Sequence, residues 1–144
     1  MAVTAKAYGP ALAALAAGSI NWGSDTIKIA LASSAYTPDQ DAHDFFNDVT
    51  NEVTGTGYTA GGITLASKTS TYTSGTNTQA LDAADVTWST STITARYAVI
   101  YKSTGTSSTS PLIGYVDFGA DVISSAGNFT ITFDAAGIFT LSTS

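Results

Sequence analysis

The stretch 92–119, TITARYAVIYKSTGTSSTSPLIGYVDFG, decides the fold. Tyr97, Val99 and Tyr101 alternate with Arg96, Ala98, Ile100 and Lys102, a period of two in β-branched and aromatic residues. That is the pattern of a strand whose two faces differ. Past the next loop, Leu112, Val116 and Phe118 share one parity, and Ile113, Tyr115 and Asp117 the other. Both parities are largely apolar, so the two strands are predicted to lie centrally, covered on both faces. Ser103–Pro111 joins them and is too long for a two-residue hairpin turn. It carries no charge and few apolar groups, and reads as a mobile surface loop able to touch a partner.

Outward from this pair, Asn128–Asp134 has the cleanest alternation, with Phe129, Ile131 and Phe133 set against Thr130 and Thr132. Thr26–Ala32 puts Ile27, Ile29 and Leu31 on one side. Ile29, Leu31, Val99, Val116, Phe129, Ile131 and Phe133 are the predicted core. Burying each such side chain contributes about 1.5–3 kcal/mol, so truncations in the Phe129–Phe133 stripe are expected to do the most damage. Val86–Trp88 reads as a short strand, Ile63–Thr73 and Thr78–Leu81 as a polar edge hairpin, Val122–Gly127 as a loop and Ile138–Leu141 as a last strand. Pro10 suits the first turn of a helix that Gly18 can close. A second short helix is predicted near 42–50, N-capped by Asp39 or Asp41. The fold class is mainly β: one domain over 1–144, an antiparallel sandwich or barrel of about seven to nine strands with short helices near 10–17 and 42–50. Residues 1–22 form an N-terminal segment, either an attachment arm or a short helix.

Composition narrows the function. Ser and Thr make up about 40 of 144 residues, and β-branched Thr suits sheets better than helices. There is no cysteine, so neither a disulfide framework nor a thiolate zinc site can form. Net charge is −6 with five basic residues and no Lys/Arg cluster, which argues against nucleic-acid binding. No apolar run reaches the length of a membrane-spanning helix. Lys6 followed by Ala11–Ala17 loosely imitates a secretion signal, but the apolar run is short and Pro10 opens it, so a helix is the stronger reading.

Candidate chemistry is sparse. Asp39, Asp41, His43, Asp44 and Asp48 make the best metal candidate, since calcium takes carboxylate oxygens. The EF-hand pattern fails at its glycine and glutamate positions, and a capped, solvated acidic turn is the favoured reading. Gly55-Thr-Gly-Tyr-Thr-Ala-Gly61 matches no phosphate-binding loop and reads as a connection between strands. Asp82 and Asp85 suit turn and capping duties better than acid–base work. The single arginine, Arg96, is expected to pair with the single glutamate, Glu52, or with Asp82 or Asp85. Such a structural clamp would fix the 51–62 loop against the sheet. A serine nucleophile would have only His43 as a histidine base, and no G-x-S-x-G elbow exists. The chain is read as non-enzymatic, without a cofactor.

DAHDFFNDVTNEVTGTGYTAGG at 41–62, DAADVTW at 82–88, TARYAVIYK at 94–102 and SPLIGYVDFG at 110–119 resemble a widespread family of tailed-bacteriophage virion structural proteins. DTIKIAL at 25–31 and FTITFDAAGI at 129–138 fit the same resemblance, which covers most of the chain. It implies a virion protein, foremost a capsid decoration (cement) protein on the outside of the major capsid lattice. The alternative is a tail or head-fibre component, including a receptor- or carbohydrate-binding module or a tail-tube or connector subunit. The implied partners are the major capsid protein and copies of the chain itself, not nucleic acid or a membrane. The expected gripping surfaces are the N-terminal segment up to Trp22, the 35–50 segment and the 103–111 loop. A receptor-binding module would expose Trp22, Tyr36, Tyr58 or Tyr72.

Overall fold

The computed structural model describes residues 2–143; Met1 and Ser144, the ends of the predicted 1–144 unit, lie outside the described residues. In chain order the elements are β1 (Ala2–Val3), β2 (Lys6–Ala7), α1 (Gly9–Ala16), β3 (Ile27–Ala32), β4 (Ile63–Thr64), β5 (Thr69–Thr73), β6 (Thr78–Asp82), β7 (Val86–Lys102), β8 (Leu112–Phe133) and β9 (Phe139–Ser142). The large sheet runs β1-β8-β7-β3-β4, with β2 also on β8, and the small sheet runs β5-β6-β9. Every pairing is antiparallel except β1 on β8. The architecture is a small sandwich of two sheets, and no barrel closes.

β7 and β8 dominate. At 17 residues and a rise of about 3.3 Å each, β7 alone reaches roughly 55 Å. A strict period of two cannot hold one face on a core over that length, and the sequence breaks it. Val86 and Trp88 are buried on even numbers, Ser91, Ile93 and Ala95 on odd numbers, and Ala98 and Ile100 on even numbers again. Register shifts lie at both changes, between Trp88 and Ser91 and between Ala95 and Tyr97, and Thr90 takes φ 50° at the first. Each irregularity flips side-chain parity and so returns the apolar set to the same core. These flips conceal the continuity: the predicted short strand at 86–88 and the strand at 96–102 are one element. Likewise the predicted loop 122–127 lies inside β8.

A broken ladder inside a core leaves polar groups to satisfy. Here two serines do it. Ile93 N–H donates to Ser124 Oγ at 3.2 Å, Ser124 Oγ–H to Ser91 Oγ at 2.7 Å, and Ser91 Oγ–H to the Gly127 carbonyl at 3.1 Å. Both serines are buried.

The main core lies between the sheets, where Leu81, Ile138 and Phe139 of the small sheet side meet Ile29, Leu31, Ile93, Ile100, Phe129 and Ile131. Trp22 packs edge-on to Phe139 and Trp88 edge-on to Phe129, with ring centroids 5.9 Å apart in each pair. A second cluster covers the other face of the large sheet: Tyr8, Ala30, Ala32, Tyr36, Val99, Tyr101 and Leu112. This is why both parities of 97–102 are apolar. Ile29, Leu31, Val99, Val116, Phe129, Ile131 and Phe133 are all buried. The turn before β4 needs glycine: Gly62 has φ +75°, and a Cβ there would collide with the Ile29 carbonyl.

One predicted element is absent. Over 42–50 only a 3₁₀ turn at Phe46–Asp48 forms, because the local aspartates satisfy turn N–H groups instead of extending a helix. The helix over 10–17 forms as α1, opened by Gly9-Pro10.

Ser91→Ala should lower unfolding stability by about 1–3 kcal/mol, since it orphans a buried carbonyl and the Ser124 hydroxyl. The Ser91→Ala/Ser124→Ala pair should cost less than the sum of the single changes. Denaturant unfolding of the three variants checks this; additive costs would remove the network.

Candidate functional site

The three segments expected to grip a partner do adjoin one another. Phe46 N–H donates to the Ser110 carbonyl at 2.9 Å, and Leu112 N–H to the Asp44 carbonyl at 2.9 Å, fixing 35–50 against 103–111. Gly9 N–H donates to the Gln40 carbonyl at 2.8 Å, and Gln40 Nε2 to the Ala7 carbonyl at 2.7 Å, tying the N-terminal segment to the same layer. That segment is no free arm. Val3, Tyr8, Ala11, Ile20 and Trp22 are buried, and β1 and β2 pair with β8. The 103–111 loop, read as mobile, is instead pinned by its own hydroxyls. Buried Ser110 Oγ accepts from Thr104 N–H at 3.0 Å and donates to the Thr106 carbonyl at 2.7 Å, and the Thr104 and Thr109 hydroxyls meet at 2.7 Å.

β8 carries the longest open edge. Its far side pairs with β2 at Gly114–Tyr115 and with β1 at Thr132–Phe133, and between these the edge pairs with nothing among the described residues. Two exposed apolar side chains sit on it. Val122 and Ile123, the latter 69% exposed, project from β8 itself. Apart from that edge, Leu12 and Leu141, 53% and 45% exposed, line a cleft of about 290 Å³ with Ala5, Ala7 and Ile113, where β2 covers β8. Val122 also borders a hollow of about 120 Å³ with Val3, Phe118 and Phe129. An apolar strip beside an unpaired strand edge is a docking feature by chemistry, because both the side chains and the backbone groups lack partners.

Arg96 does not reach Glu52, Asp82 or Asp85. It pairs with Asp117, Nε to Oδ1 at 2.5 Å and Nη2 to Oδ2 at 3.2 Å, across the β7–β8 ladder. The cause is the bulge: Ala95 faces Val122 whereas Tyr97 faces Asp117, so residues 118–121 loop out and leave Asp117 beside Arg96. The Arg96 hydrogen bond holds the Asp117 carboxyl below its usual range, and the Gly119 N–H adds to this. The pair is part-exposed on both sides and clamps the bulge, not the 51–62 loop. Glu52 holds that loop by another route. Its Oε1 accepts from Tyr58 Oη–H at 2.7 Å and from Gly61 N–H at 2.6 Å. Asp85 Oδ1 accepts from Phe133 N–H at 2.9 Å, a strand-end cap. Asp82 belongs to β6, and its carbonyl accepts from Trp22 Nε1–H at 3.0 Å.

The metal candidates do not converge. Asp39 Oδ1 accepts from Asp41 and Ala42 N–H, and Asp48 Oδ2 from Asp44 and Phe45 N–H. No group of three metal-ligating side chains forms among the described residues, Asp39, Asp41, His43 and Asp44 included. His43 Nδ1 accepts from Tyr36 Oη–H at 3.0 Å and from Asp39 N–H at 3.3 Å, which places the ring proton on Nε2. Tyr8 Oη–H then donates to Tyr36 Oη at 2.8 Å. Sequence reasoning missed this Tyr8–Tyr36–His43 chain, because the partners lie 28 and 7 residues apart and no local pattern joins them. Of the four aromatics a receptor module would present, Trp22 and Tyr36 are buried, Tyr58 is part-buried and Tyr72 is exposed.

Comparison with family models, curated proteins and solved structures gives no match. No helix among the described residues is long and apolar enough to cross a membrane.

Burial pushes up the phenols of Tyr8, Tyr36, Tyr58 and Tyr101, the last to about 12. A folded-state pKa above the unfolded value of 10.0 favours the neutral phenol in the fold. The stability this gives is complete below about pH 10 and is lost as pH rises through the folded values. These four of the seven tyrosines should therefore ionise only in one cooperative alkaline unfolding step. Tyrosinate absorbance followed beside circular dichroism tests this. All seven titrating near pH 10 in a native fold would contradict it.

Proposed function

We propose that the chain is a structural protein of a tailed-bacteriophage virion, acting as a decoration (cement) protein on the outside of the major capsid lattice. The supporting observation is the open edge of β8, with Val122 and Ile123 exposed on it. The sequence resemblance points the same way. On this reading the edge lies against the capsid protein and the pinned loops keep its shape without ordering on binding. A single edge of this kind is a weak contact. Repeated over a closed lattice, many such contacts act together, since each bound neighbour raises the effective concentration of the next. The two long bulged strands supply the stiffness a cement needs.

Purified protein mixed with capsids assembled from the major capsid protein alone should co-sediment to a fixed saturating ratio and raise the capsids' melting temperature. Ile123→Asp should fold normally yet bind at least tenfold more weakly. Failure of the wild-type chain to bind capsids, with density for it found in the tail of the virion, would favour the tail-component alternative.

A further inference from the structure

On the opposite side of the large sheet from the β8 edge lies an open depression of about 350 Å³ among β3, the 3₁₀ turn at Phe46–Asp48, the 59–62 turn and the 103–110 loop. That is the small end of the range for ligand sites, roughly 300–1,000 Å³. Its contents are unusual for this chain. Three of the five cations are engaged: Arg96 by Asp117, Lys102 by Asp25 and the Ser19 carbonyl, and Lys68 by the Asp25 carbonyl. Lys28 is half-buried in the wall of the depression, and its ammonium has no hydrogen-bond or ion-pair partner among the described residues. The only glutamate, Glu52, lines the same space. Its Oε1 is occupied by Tyr58 and Gly61, and its Oε2 has no partner among the described residues.

The turn between these two groups is rigidly held. Glu52 takes the Gly61 N–H, and Tyr101 Oη–H donates to the Gly61 carbonyl at 2.8 Å. A Cβ on Gly61 would lie 3.3 Å from both Lys28 Nζ and Tyr101 Oη, so the glycine keeps the floor open. Phe46, part-exposed, forms one wall and stacks on Tyr101 with centroids 4.0 Å apart. The hydroxyls of Ser103, Thr106 and Ser107 form the rim, on the loop fixed by Ser110.

We infer that this depression binds a neutral carbohydrate, one sugar ring at a time. One ammonium and one carboxylate cancel in charge, so an anion would face Glu52 and a cation would face Lys28. A sugar needs both: neighbouring hydroxyls can donate to Glu52 Oε2 and accept from Lys28 Nζ, and bonds to charged partners are the stronger kind. Phe46 offers carbon surface to the C–H groups of the ring. The hydroxyl rim is held in place before binding, so little ordering opposes it. The inference stands apart from capsid attachment, because the site lies away from the β8 edge and needs no lattice.

The test is a ¹⁵N NMR titration of the whole protein with D-glucose, D-galactose, D-mannose and N-acetyl-D-glucosamine in turn, to about 100 mM, since single-ring affinities are weak. At least one sugar should move the amide signals of Gly61, Gly105 and Ser107 saturably. Lys28→Met, which removes no side-chain hydrogen bond or ion pair among the described residues, should weaken that response at least tenfold, and Phe46→Ala should weaken it as well. No saturable shift with any of the four sugars would overturn the inference. So would shifts clustered elsewhere, a response unchanged by Lys28→Met, or equal shifts of the same signals by inorganic phosphate or acetate.

Discussion

Everything in this molecule follows from one demand: two strands of 17 and 22 residues must keep their apolar side chains on one core while crossing the whole protein. Strand geometry gives each residue the opposite face from the last, and a twisting sheet does not stay over its core for that distance. Bulges reconcile the two. Those at Trp88/Ser91 and Ala95/Tyr97 flip the alternation and leave ladder groups to be satisfied. The buried Ser91–Ser124 hydroxyl chain does so at one junction, and the Arg96–Asp117 pair with the Gly119 N–H does so at another. The high serine and threonine content is in some measure the chemistry of these irregularities.

Scarcity of charge has a related explanation. Several aspartates accept from one or two backbone N–H groups at turns and strand ends, as Asp39, Asp48, Asp85 and Asp134 do. A carboxylate engaged this way is held out of metal or acid–base chemistry. Glu52 differs, because its longer side chain spans the 51–62 loop and grips the Gly61 peptide group while Oε2 keeps no partner among the described residues.

Much of the fold was legible. The period of two marked β3, the 97–102 portion of β7 and the 129–133 portion of β8, and the double-sided apolarity of Tyr97–Tyr101 marked a covered sheet. The bulges hid the rest: the change of parity between Trp88 and Ser91 looks in sequence like the end of a strand, and 122–127 looks like a loop because its apolar residues, Val122 and Ile123, face outward. The Arg96 partner was missed for the same reason, since the 118–121 bulge decides which carboxylate stands opposite. The three candidate gripping segments were each visible as irregular stretches. Their mutual contact was not, because it rests on backbone hydrogen bonds between residues more than 30 positions apart, such as Gly9 with Gln40.

The continuous β7–β8 pair also has a mechanical side. A load entering at the 103–111 end and leaving where Val86 faces Ile131 travels along two covalent backbones side by side. Hydrogen bonds between them keep the chains aligned but do not carry the tension, so the ribbon resists stretching as a covalent tether does. Its weak direction is sideways, by peeling away from β3, and there six consecutive residue pairs, Ile27 with Lys102 through Ala32 with Tyr97, would have to separate in succession.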